Sequence, residues 1–306
     1  MQLECDVREE SSEPRENIPV LFLGRRKRDV IVNFEGRARR TFLILAGTSL
    51  SLLSGIAGAQ DADSEWENAR PGVAYVGTEK CVECHRDQHS SYLQTTHSVA
   101  TSLTDAENEA PPASFSHPAL GYRYEAKRRD GDLIHEEIIA SADGSTLLDT
   151  ERKIDFSIGS GQHAKSYLFR EGPFLGQSPL TWFEAPDAWR MSPGYEGLYQ
   201  PSFRRKIRSE CVFCHVGSVD TQDLNPYKFE IVETTIGCER CHGPGELHVA
   251  KYKNRDDVDI DDRTIVNPAN LPRELGEAIC QQCHLQGANW ITTTGHDIWD
   301  FRPGMP

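Results

Sequence analysis

Apolar positions fall into distinct regimes along the chain. From Phe42 to Ile56 they run without a charge, mixed with Gly and Ser. Within Thr78 to Leu103 a helix is expected after the Cys81 to His85 stretch. Residues Phe115 to Phe156 change character: Gly121-Tyr122-Arg123-Tyr124, Leu133-Ile134, Ile138-Ile139 and Ile154-Asp155-Phe156 are short β-type runs. Asp130-Gly131-Asp132 and Asp143-Gly144-Ser145 lie between them as turn signals, which predicts a small antiparallel meander. A short strand is expected at Lys165 to Phe169. Gly172 to Phe203, crowded with Pro, Gly, Trp and Tyr, reads as an ordered aromatic loop. No long amphipathic helix is visible from Glu210 to Gln286, and secondary structure is expected to be sparse.

The uncharged run is framed by Arg37, Arg39 and Arg40 before it and Ala57-Gly58-Ala59 after it. Basic flank, short apolar stretch and small-residue site predict a signal peptide over 37–59, cleaved after Ala59. Arg39-Arg40-Thr41-Phe42-Leu43 also resembles a twin-arginine signal. The stretch is short for a membrane span, so contact with a membrane is expected only through an uncleaved leader. Residues 1–36 read as an upstream gene-start extension or a cytoplasmic n-region, and 60–306 as one domain. The expected location is the periplasm or another exported compartment.

Hydrophobic residues make up 38% of the 306 and charged residues 26%, with a net charge of −14. The first 59 residues carry nine Lys/Arg and eight Asp/Glu, which leaves 24 basic and 39 acidic residues, a net of −15. Such a charge argues against nucleic-acid partners. It fits solubility equally with transient docking of periplasmic redox proteins through a basic patch on the partner. The low apolar share suggests that something besides side chains fills the interior.

Cysteine supplies a candidate. Eight of nine form C-x-x-C pairs, and each pair is followed at once by histidine: Cys81/Cys84/His85, Cys211/Cys214/His215, Cys238/Cys241/His242 and Cys280/Cys283/His284. One helical turn sets two thiols beside the two vinyl groups of one haem, and the next residue presents its imidazole to the iron. A zinc or structural cysteine module is the alternative, but zinc does not require histidine directly after the second cysteine. A redox dithiol calls for a single pair in a βαβ setting. The expected cofactors are therefore four covalent haems c, with His85, His215, His242 and His284 as proximal ligands.

Seven histidines remain. His248 follows a Gly243-Pro244-Gly245 turn and suits a neighbouring haem. His97, His163 in its glycine-flanked loop, and His117 before a proline are the other candidate sixth ligands. His89, His135 and His296 are expected to face solvent. Met191 and Met305 have no special context.

The strings Gly237 to His248, Gly159 to Ala164, Ser192 to Glu196 and Cys280 to His284 resemble the cytochrome c-552/4 (cytochrome c-554 type) multihaem domain over about residues 75–306. The resemblance implies a mainly α fold with sparse, irregular secondary structure and a small antiparallel β insertion, packed around four stacked, mostly bis-histidine haems. The expected function is electron transfer between periplasmic partners, with no catalytic residue assigned. Relatives continue past Phe301 to Pro306, so a C-terminal truncation is expected. The alternative function is a nitrogen-oxide or hydroxylamine oxidoreductase with one five-coordinate haem, since an iron without a sixth ligand is open to substrate.

Overall fold

A computed structural model describes residues 65–221, 225–254, 257, 259–285 and 291–306. The leader 37–59 and the extension 1–36 lie outside the described residues. In chain order the elements are α1 (Thr78–Val82) and α2 (Arg86–Tyr92), then β1 (Thr101–Leu103), β2 (Ala113–Ser116), β3 (Arg123–Arg129), β4 (Asp132–Ala140) and β5 (Thr146–Lys153). Next come β6 (Phe156–Ile158), β7 (Ala164–Glu171), β8 (Phe174–Phe183) and β9 (Ala188–Met191). Finally come α3 (Ser209–Val212), β10 (Ser218–Thr221), β11 (Phe229–Glu233), α4 (Glu239–His242), α5 (Glu246–Tyr252) and α6 (Arg273–His284).

The expected meander forms as a four-stranded antiparallel sheet, β2-β3-β4-β5. Its central hairpin pairs Arg129 with Asp132 across Asp130-Gly131. Both turn residues have positive φ, 53° and 84°, the two-residue turn whose twist matches paired strands. The rest of the β structure is larger than expected. Strands β8 and β9 occupy the supposed aromatic loop and join β1, β6 and β7 in a five-stranded antiparallel sheet, β1-β6-β7-β8-β9, and β10-β11 form a two-stranded ribbon.

The mainly α expectation is therefore corrected: the described residues hold eleven strands in three antiparallel sheets. The physical reason lies in β8. Its Pro179, an apparent strand breaker, sits where the β7–β8 ladder shifts register between Ser166 and Leu168, so the missing N–H breaks no regular pairing. The expected lack of a long helix after Glu210 is corrected as well, since α6 runs for 12 residues into the fourth motif.

Alternation along β7 joins two cores. Tyr167 and Phe169 face a cluster with Tyr124, Leu133, Ile154, Leu180, Trp182, Trp189 and Tyr195, between the two larger sheets. Leu168 faces the opposite way, into a cluster with Phe156, Ile158, Leu175, Ile207, Val212, Val216 and Phe229. That second cluster seats α3, the turn carrying Cys211, against the sheet. The β region thus has its own side-chain core and presents one face to the cysteine motifs.

Candidate cofactor site

Each of the four motifs folds as a helical turn. His85 N–H donates to the Cys81 carbonyl at 2.8 Å and His242 N–H to the Cys238 carbonyl at 3.0 Å. His215 N–H donates to the Val212 carbonyl at 2.8 Å, and the fourth motif is the last turn of α6. Both cysteines of a motif therefore lie along one turn with the histidine directly after them.

The motifs meet in pairs. The Cys81 and Cys238 thiols hydrogen bond, which pulls Cys238 down to about 6 and pushes Cys81 up. Cys214 and Cys283 do the same, and Cys283 is pulled down to about 7. Desolvation pushes the Cys241 thiol up, with Cys280, Cys283 and Cys238 around it adding to the effect. First pairs with third, second with fourth, and Cys241 links the pairs.

Cys84 stands apart from the thiols that line the cavity. Its side chain is exposed, and it lies outside the cavity that Cys214, Cys241, Cys280 and Cys283 line. The reason is the position of its turn. Cys84 N–H donates to the Cys81 carbonyl at 3.2 Å, so Cys81 turns inward to Cys238 while Glu83, Cys84 and His85 all stand at the surface. Cys241 and Cys280 are exposed too, but both line the cavity.

The imidazoles are arranged to match. The ring centres of His85 and His248 lie 6.2 Å apart, with their planes inclined by 26°. Those of His97 and His284 also lie 6.2 Å apart, at 75°. Two metal–imidazole bonds of about 2.0 Å, plus about 1.1 Å from each nitrogen to its ring centre, call for roughly 6.2 Å across a shared metal. Backing groups are in place too. His248 Nδ1 is 2.9 Å from Asp262 Oδ2, and His242 Nδ1 is 2.8 Å from the Val266 carbonyl. A partner at Nδ1 fixes the tautomer that leaves Nε2 with a free lone pair.

His215 and His163 line one cavity of about 600 Å³, together with His97, His284, Cys214, Cys241, Cys280 and Cys283. Its volume falls within the roughly 300–1,000 Å³ of small-molecule and cofactor sites. Burial pushes His215 down to about 4, opposed by its bond to the Ala100 carbonyl. Desolvation lowers His85, and the neighbouring His248 and His242 lower it further. Neutral imidazoles are what iron needs. Paired ring spacing, cavity and free lone pairs fit haem.

His117 stands elsewhere, 2% exposed in the β region. Its Nδ1 accepts from the Ala119 and Leu120 amides, and its Nε2 donates to the Tyr195 carbonyl at 2.7 Å. Both nitrogens are used within the protein, so the expectation of a ligand is not met in this arrangement. His135 is corrected from solvent-facing to fully buried. Among the described residues no group of three or more His, Cys, Asp or Glu is placed to hold a metal ion, the arrangement a tetrahedral zinc site needs.

Sequence reasoning missed the residues between the cysteines. Glu239, 3% exposed, accepts from the amides of Val76, Gly77 and Gly245 at 2.7–2.9 Å, stitching the third motif to the approach of the first. Arg240, 6% exposed, donates to the Phe213 carbonyl of the second motif at 3.0 Å. Gln282 of the fourth donates to the Arg240 carbonyl at 3.1 Å. Gly243 follows with φ 76°, and a Cβ there would meet Asn68 Nδ2 at 2.6 Å. Asn68 in turn donates to the His242 carbonyl at 2.9 Å. Charged residues at two successive positions inside a C-x-x-C turn were the available signal.

Residues 194–243, which hold the second and third motifs, match the family described as cytochrome c554 and c-prime. No curated protein and no solved structure matches the chain. That family is typically exported; among the described residues no helix is long and apolar enough to cross a membrane. The match bears out the resemblance over a short region: residues 194–243 are similar to a family of c-type cytochromes, which supports an electron carrier with covalently bound haem.

Proposed function

We propose that the protein is an exported tetrahaem cytochrome that passes electrons between redox partners. The haems are held at Cys81/Cys84, Cys211/Cys214, Cys238/Cys241 and Cys280/Cys283, with His85, His215, His242 and His284 as proximal ligands. His248 is the sixth ligand on the His85 side and His97 on the His284 side. His163 serves the His215 side. Haem supplies the one-electron couple of its iron.

The observation that carries this reading is the 6.2 Å spacing shared by His85–His248 and His97–His284. The protein's own residues do the rest. Asp262 and the Val266 carbonyl orient the imidazoles of His248 and His242. The contacts between cysteines of different motifs support an arrangement of the four sites in two close pairs, first with third and second with fourth, joined through Cys241. The exposed Cys84 keeps the first site at the surface, within reach of a docked partner. A net charge of −14 gives the surface a sign suited to brief docking on basic partners.

Intact mass and EPR spectra of protein matured in a periplasm with haem-attachment machinery test the proposal. Four haem masses with low-spin signals from the paired sites support it. A high-spin signal from one iron directs work to the nitrogen-oxide or hydroxylamine chemistry of an open haem. A colourless protein of bare polypeptide mass sinks it.

A further inference from the structure

Arg240 carries a permanent positive charge into a buried position, 6% exposed. Its guanidinium lies 4.1 Å from the centre of the Phe213 ring and 5.4 Å from that of Trp299. These two rings meet edge-on at 4.8 Å. Its Nε is buried without a hydrogen-bond partner, and the side chain lines the cavity that holds Cys214, Cys241 and Cys283. Among the described residues no carboxylate forms an ion pair with it. Its neighbour Glu239 turns instead to the Val76, Gly77 and Gly245 amides.

A guanidinium does not give up its proton in a protein. Burying it unpaired is expensive, and two aromatic rings recover only part of that cost. Its side chain donates to the Phe213 carbonyl of the second motif at 3.0 Å, and its own carbonyl accepts from Gln282 of the fourth at 3.1 Å. The charge therefore sits among the second, third and fourth motifs. The first motif has a different neighbour: the Asp262 carboxylate, behind His248.

We propose that Arg240 sets the reduction potentials of the haems at Cys211/Cys214, Cys238/Cys241 and Cys280/Cys283, holding them above that of the haem at Cys81/Cys84. This rests on the haem assignment made above. Reduction adds one electron to a ferric iron and takes one from a donor, a reduced redox protein in the cell or dithionite in a titration. The added electron lowers the charge of the site by one, and a fixed positive charge in a low-dielectric cavity favours that change. Electrons that enter at the first haem are then drawn toward the other three.

Spectroelectrochemical titration of the matured full chain tests the proposal, with Arg240→Gln and Arg240→Met as neutral variants and Arg240→Lys as the charge control. The neutral variants are expected to move at least one couple to lower potential by tenfold in its equilibrium constant, about 59 mV for one electron. Arg240→Lys is expected to leave the couples in place. Unmoved couples in a neutral variant that carries four haems overturn the proposal. So does a lysine variant that shifts as far as glutamine, because the fork and not the charge is then the agent. If both neutral variants fail to take up haem while lysine succeeds with shifted couples, the role is structural and the proposal falls. If lysine succeeds with unmoved couples, the charge reading stands. A wild-type protein without haem would sink the haem assignment, whereas four haems with unmoved couples would sink the Arg240 role alone.

Discussion

Asp262 Oδ2 stands 2.9 Å from Nδ1 of His248, on the side of the ring away from the nitrogen left free for a ligand. The same carboxylate accepts from the Thr264 amide at 2.9 Å and from Lys251 Nζ at 3.0 Å, so it is held as an anion. A carboxylate behind an imidazole makes the ring a stronger donor to its metal. Asp262→Asn removes that charge and keeps the shape. The expected outcome is a rise of one couple by on the order of 60 mV, a tenfold change for one electron, with four haems retained. Redox titration reads it, and a couple that stays put would show that the carboxylate does not act on a bound iron.

His248 and His117 make a matched pair for testing ligation. His248 faces His85 at 6.2 Å, whereas His117 has both nitrogens bonded to backbone groups. His248→Ala is expected to turn one low-spin iron high-spin with little loss of fold stability. His117→Ala is expected to leave every spin state alone and to cost about 2 kcal/mol of stability through the amides and carbonyl it strands. EPR and thermal unfolding on both variants separate the two roles. A new high-spin signal in His117→Ala would contradict the placement.

The contrast between these two histidines shows how much the sequence could reveal. The C-x-x-C-H motifs are legible because their chemistry is local: one turn of helix carries all three groups. What the motif alone does not tell is which thiols turn inward, so Cys81 and the exposed Cys84 read alike. His248 is legible because a Gly-Pro-Gly turn brings it back. His117 has an equally suggestive setting, yet its fate depends on Tyr195, far along the chain. The five-stranded sheet was hidden by Pro179, which only the β7–β8 register shift makes harmless. The low apolar content pointed to a core made of cofactor, but Tyr124, Tyr167 and Trp189 build one from amphipathic rings. Polar residues share that interior: Glu137, fully buried, bonds the Tyr124 and Ser202 hydroxyls.

Glu239 is expected to matter more for assembly than for redox behaviour. Its carboxylate is the shared acceptor of three amides from two distant segments. Glu239→Ala strands those donors in a partly buried place, at roughly 3 kcal/mol in total. Glu239→Gln keeps one acceptor oxygen and is expected to cost less than half as much. The check is thermal unfolding together with haem content by mass. An alanine variant as stable as wild type would mean that water satisfies the Val76, Gly77 and Gly245 amides.

His135 gives the β region a built-in sensitivity to acid. It is fully buried, its Nδ1 is 2.7 Å from Ser178 Oγ, and its Nε2 has no partner. The surrounding Tyr167 and Trp189 rings, with centres at 5.0 and 5.1 Å, offer no counter-charge. Burial pushes its pKa down to about 3 from an ordinary 6.5. The sign follows from which state binds the proton more readily. Above about pH 6.5 the ring is neutral folded or unfolded, and the stability is fully present. Between about 6.5 and 3 the unfolded chain takes up a proton that the folded one refuses, so stability falls as pH falls. At pH 4.5 the loss is roughly 2.7 kcal/mol from this one group. His135→Asn, which offers Ser178 a polar atom near the Nδ1 position and does not titrate, is expected to abolish that part of the slope. Urea unfolding of both proteins at pH 7 and pH 4.5 measures it. Parallel losses in the two would show that His135 is protonated in the fold or that carboxylates carry the acid response.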